Sequence, residues 1–91
     1  MRGIEGLPGA DLIGEGLRDL TAGVESVPAM LVAIGAPRLR RLGIAVPHVA
    51  GRPEHRLYAL LLGQHGPAAH GRYNALLRRL VSFERALECV G

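Results

Sequence analysis

The chain contains no lysine and no tryptophan, a single cysteine, a single asparagine, and only three aromatic residues among its 91. Without lysine, all eleven basic side chains are arginine. Alanine, glycine, leucine and proline are abundant, and the simplest account of the pattern is a GC-rich coding genome, so the arginines are not in themselves evidence of guanidinium-specific recognition, although each carries a full charge. Cys89 stands alone, which excludes an internal disulfide framework and fits a reducing compartment in which it is a free thiol. With Tyr58, Tyr73 and Phe83 as the only aromatics, the core has to be built from leucine, alanine, valine and isoleucine. That is helix-bundle material, and it leaves little with which to stack single-stranded nucleic acid.

Long apolar runs are missing as well. Val27 to Pro37 is among the longest charge-free stretches and is too short to span a bilayer. Glu5, Pro8, Gly9 and Asp11 interrupt the sequence after Met1 and Arg2, so no signal peptide is read. The expectation is a cytoplasmic protein with no membrane partner. The length suits one domain, 1–91, whose Gly-rich, aperiodic residues 1–8 are expected to form a flexible arm.

The net charge of +3 conceals an asymmetry. Residues 1–25 carry Glu5, Asp11, Glu15, Asp19 and Glu25 against Arg2 and Arg18, whereas residues 26–91 carry nine arginines against Glu54, Glu84 and Glu88. An acidic N-terminal helix docking on a basic remainder is the natural reading.

The longest helical pattern is His70 to Val90. Tyr73, Leu76, Leu80, Phe83, Leu87 and Val90 follow the alternating three-four spacing of a heptad seam, and Leu77 widens it. Burying six such side chains at roughly 1.5–3 kcal/mol each is comparable with the net stability of a small domain, so the seam must be covered, by this chain or by a second copy. Upstream, residues 8–22 form an amphipathic helix weakened by Gly14 and Gly16 and stopped by Gly23. Ser26 caps a second helix with Met30, Leu31 and Ile34 inward, ending at Gly35. Pro37 then opens a short helix that stops at Gly43, and residues 44–51 are an extended connector around Pro47. Pro53 and Glu54 open a helix carrying Leu57, Tyr58, Leu61 and Leu62, which Gly66 and Pro67 join to the last one. The fold expected is all-α: a compact bundle of about four main helices plus one short helix, with a long C-terminal helix bearing the seam.

Four chemistries come into question on this scaffold. Arg72, Arg78, Arg79 and Arg85 fall at heptad positions f and g, as a stripe about 20 Å long beside the seam that could follow a phosphate backbone together with Arg38, Arg40 and Arg41. Charged runs more often face water, and a helix-turn-helix over residues 30–44 fails because Pro37 and Gly43 leave a recognition helix under two turns long. His48, His55, His65 and His70 show no i, i+4 pair, so no metal site is assigned. Glu54 with Tyr58, and His70 with Asn74, share helical faces at i, i+4, which permits acid–base pairing, yet no nucleophile motif accompanies them and no catalytic residue is assigned. The GEG of residues 14–16 lacks the strand and third glycine of a phosphate loop.

The expected function is that of a small non-catalytic interaction or regulatory module without cofactor. It is homodimeric through Tyr73, Leu76, Leu77, Leu80, Phe83, Leu87 and Val90, with another protein as a further partner. In a parallel pairing Arg79 would face Glu84 of the other copy. The alternative is a nucleic-acid-binding protein using the arginine face.

Overall fold

A computed structural model of the chain describes residues 5–90. These form α1 (Ala10–Thr21), α2 (Val27–Arg41), α3 (Pro53–His65), a 3-10 turn (Gly66–Ala68) and α4 (Ala69–Val90). There is no strand among the described residues. The all-helical class is as expected; the count is not. Three uninterrupted helical runs form in place of four main helices and a short one, and the third, residues 53–90, is divided into α3 and α4 only by the 3-10 turn.

The loss of the short helix has a physical reason. Gly35 does not end α2 but lies buried within it, and the helix continues through Pro37 to Arg41. Proline's fixed φ is helical, and the roughly 3 kcal/mol cost of the hydrogen bond it forfeits is offset by the packing of α2 against α1, α3 and α4. Gly35 serves contact rather than termination: a β-carbon there would sit 2.8 Å from Leu80 Cδ1 of α4.

The true helix ends are closed as the sequence suggests. At the end of α1, the Gly23 N–H donates to the Leu20 carbonyl (3.1 Å) and the Val24 N–H to that of Asp19 (2.8 Å). At the end of α2, the Gly43 N–H donates to Arg40 O (3.0 Å) and Ile44 N–H to Leu39 O (2.9 Å). Both are Schellman closures and need a left-handed residue, which glycine supplies at φ 76° and 96°. Ile44, buried, completes the second with an apolar plug. Ser26 caps α2 by accepting the Ala29 N–H at 3.2 Å, while its hydroxyl donates to Asp19 Oδ2 at 2.5 Å, so one side chain ties the end of α1 to the start of α2. Ser26→Ala removes both bonds, and a loss of about 1–2 kcal/mol is expected in urea unfolding.

α2 is the centre of the fold, packed by α1, α3 and α4. Its residues Ala29, Met30, Leu31, Val32, Ala36 and Leu39 are buried, on every side of the helix, as befits an element apolar all round. α1 approaches it most closely at Gly16, whose missing β-carbon leaves room for Pro28 O and Val32. Ile13, Leu57, Leu61 and Phe83 complete the core from the other three helices. The connector of residues 44–52 is extended: Ile44 and Val46 turn inward, and Arg40 donates to Val46 O (2.9 Å) and Pro47 O (3.3 Å). Of the arm expected at 1–8, residues 1–4 lie outside the described residues, while Leu7 packs against the core. No helix among the described residues is long and apolar enough to cross a membrane.

Candidate interaction surface

The seam of α4 is covered from within the chain over its central part. Leu80 (4% exposed) and Phe83 (0%) are buried; Tyr73, Leu76, Leu77 and Leu87 are half-buried against the core, and Val90 is exposed. The turn before α1 contributes to the cover, since a β-carbon on Gly9 would lie 3.8 Å from Phe83 Cβ. The middle of the seam, Leu80 and Phe83, is thus already covered within one chain. Of the two residues expected to pair between copies, Arg79 approaches Asp11 of α1 at 3.8 Å within the chain, and Glu84 is buried.

The arginines do not form one stripe. Arg72 and Arg79, seven residues apart, share one line along α4, and Arg78 and Arg85 share another about 100° around the helix. Arg72 borders a crevice with Val27, Leu61, Gln64 and His65, away from Arg78 and Arg85. Arg38 pairs with Glu88 at 3.4 Å, Arg40 is held by the connector carbonyls, and Arg41 lies near Glu84. Arg78 and Arg85 are exposed, and no acid among the described residues lies within 4.0 Å of either guanidinium.

The fold does bring together two clusters that lie apart in sequence. Glu54, Tyr58 and Leu62 recur at i, i+4 along one line of α3, with His55 and Ala59 beside them; His70, Tyr73 and Asn74 fall together at the start of α4. The two sets line one open groove of about 600 Å³ between α3 and α4. Its floor is aromatic, with the Tyr58 and Tyr73 rings edge to face at a centroid distance of 5.6 Å. On the rim Asn74 Nδ2 donates to His70 Nε2 at 3.3 Å. Leu62 is 49% exposed at the groove, and Val81, one α4 turn beyond Leu77, is 37% exposed.

Glu54, His55 and His70 are exposed, and the hydrogen bond joins an imidazole to an amide. No three histidine, cysteine or acidic side chains among the described residues gather where they could hold a metal ion. Cys89 is exposed and free.

Glu84 is the residue that sequence reading missed. A signal for it existed: with Leu80 and Leu87 it lies at the i, i+4, i+7 spacing of the inward face, yet its charge placed it outside. Burial pushes its carboxyl above the ordinary value, against the pull first of Arg38 and then of Arg41. Compared with known proteins, the chain matches no family model, and neither a curated protein nor a solved structure gives a significant match.

Proposed function

We propose that the chain is a non-catalytic helical interaction module of the prokaryotic cytoplasm that pairs with a second copy of itself across the flank formed by α3 and α4. The observation that carries this reading is the uncovered apolar groove between those helices, with Leu62 half exposed at its edge. Along α4 the flank continues through Leu77 and Val81, four residues apart and hence neighbours on one side of the helix. Two such faces can shield each other in an isologous pair, the commonest arrangement of small oligomers, in which every contact occurs twice. A chain this short buries only about two-thirds of its unfolded surface, so covering the flank is a substantial gain.

Sedimentation velocity from low to several hundred micromolar tests the pairing. The wild type should pass from monomer to dimer over this range. Leu62→Arg combined with Val81→Arg should remain monomeric with an unchanged helical spectrum, because an arginine at each position meets the interface twice and weakens it by more than about a hundredfold. A wild type that stays monomeric throughout contradicts the reading, and a double variant that still dimerises removes the flank from it.

Arg78 and Arg85, exposed and with no acid within 4.0 Å among the described residues, favour one second reading, contact with a nucleic-acid backbone. Anisotropy with a labelled duplex tests it: binding that falls steeply with salt and is lost in Arg78→Gln/Arg85→Gln supports it, and absence of binding at low salt removes it.

A further inference from the structure

Glu84 stands in the wall between α2 and α4, where an acid opposes folding. The residue is 4% exposed, and Oε2 lies 3.1 Å from the point that a β-carbon on Gly35 would occupy. The carboxyl thus rests on the backbone of α2 at a site that only glycine leaves open, beside Leu80 of its own helix. From α2 two cations act on it, Arg38 and Arg41. One turn further along α4 lies Glu88, which holds the Arg38 guanidinium at 3.4 Å. Two acids therefore compete for one arginine, and the buried one is the worse placed, because Arg38 makes its ion pair with the exposed one.

We infer that Glu84 is a proton-operated latch between α2 and α4: with the carboxyl neutral, α4 sits tightly against Gly35, and with it ionised the C-terminal half of α4 is held less firmly. Removing a carboxylate from water is unfavourable unless cations and hydrogen bonds replace the water, and here the burial outweighs the two arginines. The folded chain accordingly binds the Glu84 proton more strongly than the unfolded chain does. The stability tied to this proton is fully present below the ordinary glutamate value of 4.5 and is lost as pH rises through the higher value of the folded state. The latch does not depend on self-association, since Glu84 faces α2 within one chain.

Carboxyl-detected NMR titration of the full chain, with amide shifts followed in parallel, provides the test. The Glu84 carboxyl should titrate above 4.5, and the Gly35 and Leu80 amides should shift with the same midpoint. In Glu84→Gln, which keeps the shape and removes the charge, that amide transition should vanish and the folded-to-unfolded ratio at neutral pH should rise several-fold. Arg38→Gln should move the Glu84 midpoint further up. A Glu84 midpoint at or below 4.5, or Gly35 and Leu80 amides that do not follow it, overturns the proposal. The wild-type titration alone decides if the glutamine variant does not fold.

Discussion

Leu80→Glu should abolish folding of the single chain. Leu80 is 4% exposed, and its methyls occupy the space left by Gly35, so the substitution removes a buried side chain and puts a charge in its place. The first loss is about 2–5 kcal/mol for a leucine cut back in a core, and an unpaired buried charge adds several more. The buried Glu84 lies one helical turn away on the same face, so the new carboxylate also meets a like charge. The sum, on the order of 5–10 kcal/mol, is comparable with the whole net stability of roughly 5–14 kcal/mol expected for a domain of this size. Circular dichroism should show loss of cooperative melting at any protein concentration. Leu80→Ala should fold with stability lowered by about 2–5 kcal/mol and with its association unchanged. Had Leu80 been an intermolecular contact, Leu80→Glu would give a well-folded monomer.

The second large effect lies at the contact of α1 with α2. A β-carbon on Gly16 would stand 2.3 Å from Pro28 O and 2.5 Å from Val32 Cγ2. The first obstacle is backbone and cannot rotate away, so Gly16→Ala has to push α1 off α2. Overpacking of this kind costs typically 1–3 kcal/mol, and a backbone obstacle places it at the upper end, against a gain of about 1 kcal/mol in helix propensity. A net loss of about 2 kcal/mol is expected in urea unfolding. Gly14, two residues earlier in the same helix, reverses the sign: the nearest atom to its β-carbon would be an arginine side-chain nitrogen at 4.0 Å, and Gly14→Ala should stabilise by up to about 1 kcal/mol. Equal effects at the two glycines would mean that α1 does not cross α2 at Gly16.

These glycines show what was legible in the sequence. Ser26, Gly23, Gly43 and Pro53 act through their own backbone neighbourhood, as caps, closures and a first-turn proline, so local rules find them. Gly35 and Gly16 act through what lies on the other side of a contact, Leu80 in one case and Pro28 in the other. No local rule distinguishes such a glycine from a helix stop, and Gly35 beside Pro37 imitates one.

The periodicity of α4 identified an inward face, but periodicity reports that a face is covered and not by what. The cover came from α3 together with α2, a helix buried on all sides that therefore shows little one-sided pattern. The groove was visible as two polar clusters around Glu54 and His70; their meeting depends on how the 3-10 turn sets α4 against α3. Of the arginine face, Arg38 pairs with Glu88, Arg40 is bonded to the connector carbonyls and Arg79 lies 3.8 Å from Asp11, each partner coming from another segment of the chain.

The central claim is that α4 turns its seam inward and offers its α3 side to a second copy. An isotope-filtered NOE experiment on a one-to-one mixture of labelled and unlabelled chains, at a concentration where the dimer is populated, tests both halves together. The account predicts intermolecular contacts from the Leu62, Leu77 and Val81 methyls and the Tyr58 and Tyr73 rings, with Leu80 and Phe83 showing contacts only within their own chain. Cross-chain contacts from Leu80 or Phe83, or none from Leu62 and Val81, would contradict it.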